Sequence, residues 1–295
     1  MKYQIKAWLL ILGSAVRNMV LTLAILLLGG LSTQAVEIDS SAEFAFITDY
    51  ASGKILMAKD ADMPMKPASM AKIMTVFITF QRIKEGGLSL DDTFLVSEKA
   101  WRKGGSKTFI EVGKQVAVGD LLNGVIVQSG NDAAIALAEG ISGTEEGFAE
   151  EMNFTAQKLG MQNTVFKNST GWPHPDQTTT ARDLNILATA LIREFPVEEY
   201  PRLYPMFAKK EFTFNGIKQG NRNPLVYGTD GADGLKTGHT EESGYGLVGS
   251  AMRDGQRVVM VLNGMKSMKQ RSSESRRLMD LMFREFKLYR FFDEG

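Results

Sequence analysis

Cysteine is absent from this chain. That absence excludes disulfides, thiolate metal sites and cysteine nucleophiles. Histidine is nearly absent: only His174 and His239 offer imidazoles, and two scattered histidines make a poor metal centre. Neither sign of charge dominates. The 34 basic side chains balance 34 acidic ones, so nothing points to a nucleic-acid partner. Internal repeats and low-complexity linkers are also missing, which favours a single domain. What is present is ordinary globular composition. Hydrophobic residues are 44% and charged residues 23% of 295 positions, enough for a sizeable core.

Residues 1–35 read as a targeting segment. Lys2, Lys6 and Arg17 form a basic start, and Val20 to Leu31 is a nearly uninterrupted apolar run. Thr33-Gln34-Ala35 then places small residues as a signal peptidase needs them, so cleavage is expected after Ala35. Arg17 and Asn18 split off an earlier apolar piece, so a start at Met19 also fits. The run is short for a membrane span, and an uncleaved N-terminal anchor is the alternative. On this reading the protein is exported, periplasmic or held in the cell envelope. Contact with the membrane would come only through an uncleaved N-terminal segment.

Beyond residue 35 the pattern alternates between strands and helices. Phe44, Phe46 and Ile47 precede Ser52-Gly53, and Ile55-Leu56-Met57 follow, which predicts a hairpin. Pro67 leads into a helix from about Ser69 to Lys84 that is apolar nearly all round and so central and buried. Residues 102–107 form an expected exposed loop. Helices are expected over Leu121–Gln128, Ala133–Glu139 (ended by Gly140), Thr144–Leu159 and Leu184–Glu194. Glu211–Ile217 reads as one strand. Tyr245–Met252 and Arg257–Leu262 form a hairpin through Asp254-Gly255, and a helix over Arg271–Tyr289 closes the chain. Strands thus come from both ends of the sequence with helices between.

Three short motifs stand in this frame. Ser69 and Lys72 are spaced to share one helical face. A serine hydroxyl is a poor nucleophile without a base in reach, and a lysine becomes that base if its pKa is lowered. Ser129-Gly130-Asn131 is a polar turn pinched between two apolar helices. Such a turn is buried, and its side chains need hydrogen-bond partners. Lys236-Thr237-Gly238 opens the final strands. Singly, each is a common spacing, a turn or a strand end.

In this order after an export signal, the three motifs are the set found in penicillin-binding proteins. Gln128 to Ala134, Phe212 to Ile217, Asn221-Arg222-Asn223 and Asp233 to Thr240 narrow the match. The chain from about Phe44 onward resembles the low-molecular-mass penicillin-binding proteins that are serine-type D-alanyl-D-alanine carboxypeptidases. That resemblance implies an α+β fold, an antiparallel sheet flanked by helices with a mostly helical subdomain. It implies a catalytic domain over residues 36–295, without the β-rich second domain or anchoring helix that many relatives carry. It also implies peptidoglycan stem peptides and β-lactam antibiotics as ligands, and no cofactor or metal.

Site roles follow from the same resemblance. Ser69 is the expected nucleophile and Lys72 its base, kept neutral by burial and by the charge of Lys236. Ser129 relays a proton to the leaving amine, and Asn131 holds Lys72 or the substrate amide. Lys236 and Thr237 bind the substrate carboxylate, and Gly238 lets the substrate backbone lie along the strand. The backbone N–H groups of Ser69 and His239 form the oxyanion hole, with the His239 imidazole a bystander. Arg271, and less clearly Arg222, match arginines near the carboxylate end; a surface ion pair is the alternative for each. The histidine of the family's His-x-Ser-Thr-Ala-x-Asp run is missing from Asp176 to Asp183. A β-lactamase lacks support here, because no loop glutamate suits a deacylating water. A binding module would not need Lys72 and Ser129 together, whereas an endopeptidase would share every motif.

Overall fold

The structure, a computed structural model, describes residues 38–287; the expected signal segment and Tyr289 lie outside them. The chain divides into two units, Met1–Asp39 and Ser40–Gly295, and the fold below belongs to the second. In chain order its main strands and helices are β1 (Phe44–Asp49), β2 (Ile55–Lys59), α1 (Lys72–Lys84), β3 (Thr93–Leu95), α2 (Glu98–Arg102), β4 (Gln115–Ala117), α3 (Val118–Asn123), α4 (Asn131–Ser142), α5 (Glu145–Leu159), α6 (Ala181–Glu194), β5 (Glu211–Phe214), β6 (Ile217–Gly220), β7 (Ala232–Thr240), β8 (Gly244–Arg253), β9 (Gln256–Met265) and α7 (Met268–Glu285).

Five strands form one antiparallel sheet in the order β2-β1-β9-β8-β7. The first hairpin therefore pairs with the last strand, as Phe46 opposite Val261 shows. The motif strand β7 lies at the sheet edge, and its free side is available to an extended peptide. Both faces of the sheet are covered. Val259 and Val261 join the core built around α1. The alternate positions face the other way: Gly249, opposite Met260, lies against Met279 of α7.

Helix α1 is buried without interruption from Lys72 to Phe80, as its all-round apolar sequence predicts. Phe77 and Phe80 meet Phe195 edge-on at 5.7 and 5.3 Å between centroids. Burying each such ring stabilises the fold by about 1.5–3 kcal/mol, with the edge contacts adding about 0.5–1.5 kcal/mol. The core thereby clamps the helix that carries the first motif.

Three expectations change. Glu211–Ile217 is a hairpin, not a single strand: Asn215 and Gly216 take φ +48° and +76°, the two left-handed residues of a tight turn. Gly140 does not end α4, which runs on to Ser142. A Cβ at Gly140 would enter the Phe94 ring, so this glycine serves packing, and Gly143 at φ +79° closes the helix instead. The closing helix starts three residues early and ends at Glu285.

Candidate active site

Ser69 sits in a 3-10 turn, Ala68–Ala71, that feeds directly into α1, and Lys72 is the first residue of that helix. The spacing still brings the two side chains together. Lys72 Nζ lies 2.9 Å from Ser69 Oγ, 2.7 Å from Asn131 Oδ1 and 2.6 Å from the Thr170 carbonyl oxygen. The last two atoms only accept hydrogen bonds, so each takes an N–H of Lys72. The third position faces a hydroxyl, which donates as readily as it accepts. A neutral Lys72 amine therefore points its lone pair at Ser69.

Lys72 is completely buried, and its pKa is lowered to about 7. Burial is the main cause, repulsion from Arg222 follows, and Asp132 and Glu145 oppose them. This alters the expected account, which gave the electrostatic part to Lys236. The repulsion between the two lysines falls instead on Lys236. Its pKa is pushed well below the usual lysine range by burial first, then by Lys72, Arg222 and Arg271.

A backbone turn brings the second motif to the site. Helix α3 widens over Gly124–Gln128, and Ser129 then adopts a left-handed φ of +67°. That turn starts α4 with Asn131 facing Lys72. Asn131 Nδ2 donates to the Gly104 carbonyl at 2.8 Å, and its backbone N–H donates to the Ser106 carbonyl at 2.8 Å. Asp132 accepts from the N–H groups of Thr108 and Phe109 at 2.8 and 2.9 Å. These bonds draw the 102–107 loop over the site. Ser129 is buried, and its hydroxyl makes no hydrogen bond to any described residue.

Strand β7 supplies the third motif. Lys236 and Thr237 are buried, and Lys236 Nζ donates, among the described residues, only to its neighbour's carbonyl, that of Thr237, at 3.2 Å. Gly238 has no room for a side chain: a Cβ there would stand 3.1 Å from Met70 Cγ and from the Pro67 oxygen. The His239 ring is exposed and stacks on Tyr245 at 3.9 Å. Arg271 reaches in from α7, buried, over the other ring of that pair at 5.7 Å from Tyr245. Its pKa is lowered to about 10, mainly by burial. Arg222 Nη1 donates to Ser106 Oγ at 2.6 Å. Lys236, Arg222 and Arg271 form no ion pair with any described carboxylate, so the surface-pair alternative has no support among those residues. Their charge is left for an anion.

Ser69, Asn131 and His239 line one cavity of about 620 Å³, with Ser106, Thr170 and Trp172. Ser129, Lys236, Thr237, Gly238 and Arg271 do not line it; they stand behind or beside it. No group of three or more acidic or histidine side chains suited to a metal ion occurs among the described residues. Sequence reasoning missed Thr170, because a main-chain carbonyl leaves no residue signature. It also missed Trp172, whose ring has Lys103 Nζ 4.3 Å from its centroid on the cavity rim.

The model of a family described as D-alanyl-D-alanine carboxypeptidase matches residues 31–267. The chain belongs to the D-alanyl-D-alanine carboxypeptidase family. It is 43% identical to D-alanyl-D-alanine carboxypeptidase DacC of Escherichia coli strain K12, over 86% of this chain and 64% of that protein. It is 34% identical to the Bacillus subtilis carboxypeptidase DacF, over 86% of this chain and 65% of that one. The chain thus spans less than two thirds of these curated relatives. Among solved structures it matches penicillin-binding protein 6B of Escherichia coli with a TM-score of 0.81 and 37% identity, over 90% of this chain and 84% of that one. Ampicillin-bound penicillin-binding protein D2 of Listeria monocytogenes matches with a TM-score of 0.75 and 30% identity, over 84% of this chain and all of that one. The expected α+β transpeptidase-type fold is therefore the one observed.

Proposed function

We propose that this protein is a serine-type D-alanyl-D-alanine carboxypeptidase acting on peptidoglycan stem peptides. One observation carries the reading: a buried lysine whose N–H groups are taken by Asn131 and Thr170, leaving its lone pair for Ser69. Ser69 Oγ attacks the carbonyl carbon between the two D-alanines, and its proton passes to the neutral Lys72. The oxyanion rests on the backbone N–H groups of Ser69 and His239. The C–N bond breaks as the proton taken up by Lys72 passes through the Ser129 hydroxyl to the leaving amine; this restores the neutral lysine, and free D-alanine departs. Water then hydrolyses the ester, with Lys72 again as base.

The substrate's terminal carboxylate lies toward Lys236, Thr237 and Arg271. Lys236, Arg271 and Arg222, three basic side chains without a carboxylate partner among the described residues, match one anionic group. The peptide backbone extends along the free edge of β7, where Gly238 lets the strand lie close against the turn that carries Ser69. A β-lactam enters the same site as a carbonyl electrophile bearing a carboxylate, and acylates Ser69. Residues 1–35 act as a cleaved export signal and residues 36–295 carry the catalytic unit, so the enzyme works in the cell envelope.

The test is labelling with a fluorescent penicillin followed by a D-alanine release assay on a D-Ala-D-Ala-ending pentapeptide. Wild type should form a stable adduct and release D-alanine, and Ser69→Ala should do neither. A wild type as inert as Ser69→Ala would sink the proposal, and rapid penicillin turnover would point to a β-lactamase. N-terminal sequencing of the mature protein tests cleavage after Ala35.

A further inference from the structure

Glu145, the first residue of α5, is a carboxylate only 7% exposed that belongs to none of the three motifs. Its Oε1 accepts from the Ser169 hydroxyl at 2.8 Å and from the Ser169 N–H at 3.2 Å. Its Oε2 lies 3.1 Å from Lys99 Nζ. Ser169 is fully buried, and its own carbonyl accepts from Thr75 Oγ1 at 2.7 Å. Thr75 is one turn beyond Lys72 on α1. The next carbonyl along the loop, that of Thr170, holds Lys72 Nζ at 2.6 Å. Glu145 and Thr75 therefore grip one residue from two sides, and its neighbour fixes the lysine.

We propose that Glu145 is a positioning residue for Lys72, a buried carboxylate that anchors the Ser169–Thr170 segment by which the amine is oriented. The inference rests on the assignment of Lys72 as the base. Arg222 and Lys103 face Lys72 with charges that favour the neutral amine, and the repulsion between Lys72 and Lys236 falls on Lys236. Asp132 and Glu145 favour the ammonium. Asp132 is committed to backbone N–H groups of residues 108 to 110. Glu145 is the carboxylate that joins the charge balance to the geometry of the Thr170 carbonyl.

The test separates those two parts. Glu145→Gln keeps a carbonyl oxygen for Ser169 and removes the charge. Glu145→Asp keeps the charge and shortens the reach. The Lys72 Cε resonance, assigned by its loss in Lys72→Arg, is titrated by NMR in each protein. Wild type should titrate near pH 7. Glu145→Gln should titrate lower by roughly half a pH unit to one unit, and Glu145→Asp close to wild type. The acid limb of penicillin acylation should move with the Gln variant while its plateau stays within about threefold. In Glu145→Asp the plateau should fall about tenfold or more, because two buried donors lose a well-placed acceptor. An unmoved Lys72 midpoint in Glu145→Gln would overturn the proposal. So would a plateau that collapses equally in both variants, the mark of a purely structural carboxylate. The NMR titration needs no turnover, so an unreactive wild type would refute the catalytic reading separately.

Discussion

Lys72 Nζ and Asn131 Oδ1 stand 2.7 Å apart although 59 residues separate them in the chain. An amide oxygen at that point takes a hydrogen bond without adding charge. It orients the lysine and leaves its proton balance to burial and to charges farther off. A carboxylate of the same shape would orient it equally well and hold it as an ammonium.

Asn131→Asp should therefore disable the base through electrostatics. Wild-type acylation by penicillin should rise as pH increases through about 7, where Lys72 becomes neutral. An opposite charge this close shifts a pKa by about 1–3 units toward the charged form. The rise should move to higher pH by that amount, with the rate at pH 7 reduced roughly 5- to 500-fold. Stopped-flow acylation across pH 5 to 10 measures both proteins. A limb that stays in place while the plateau falls would assign Asn131 a purely steric part.

Arg271→Ala should weaken recognition of the substrate carboxylate. Arg271 is buried beside Tyr245 without a carboxylate partner among the described residues. Losing a charge-assisted bond of about 1.5–3 kcal/mol corresponds to roughly a 10- to 150-fold drop in kcat/KM. A C-terminally amidated peptide makes the control. Its turnover should be low in wild type and nearly unchanged by the substitution; equal losses on both substrates would contradict carboxylate binding.

Asp132→Ala should destabilise the fold and unseat the loop over the site. The carboxylate gathers the N–H groups of Thr108 and Phe109, both from a segment far away in sequence. Leaving buried donors unpaired costs about 1–3 kcal/mol for each group. Urea denaturation should show a lower midpoint at an unchanged slope. Acylation of the protein that remains folded should also slow, because Ser106 and Gly104 are tied to Asn131.

Gly140→Ala tests the packing role assigned to that residue. The added methyl would meet the Phe94 ring, and overpacking costs about 1–3 kcal/mol. Helix propensity alone would favour alanine by about 1 kcal/mol. The sign of the change in urea midpoint thus decides whether the contact with Phe94 outweighs helix propensity. A stabilised variant would overturn the packing role.

Much of this molecule is legible in its residues because local chemistry repeats there. The hydrophobic run of α1 predicts burial on every side, since a helix without a polar face has nowhere else to go. Ser69 and Lys72 meet because helical geometry stacks residues one turn apart, whatever surrounds them. The Asn215-Gly216 hairpin was legible too, in a dipeptide whose turn preference the strand pattern masked.

The surroundings that suit Lys72 to the proposed role of base were decided by tertiary structure. Its burial comes from packing of α1 against distant helices. Its two fixed hydrogen bonds come from Asn131 and a Thr170 carbonyl that any side chain at that position would carry. Its charge balance includes Arg222, which the sequence placed only at the carboxylate end. Short-range spacing determines which groups are available. Desolvation and Coulomb energy depend on distances through space, and those exist only once the chain has closed around the site.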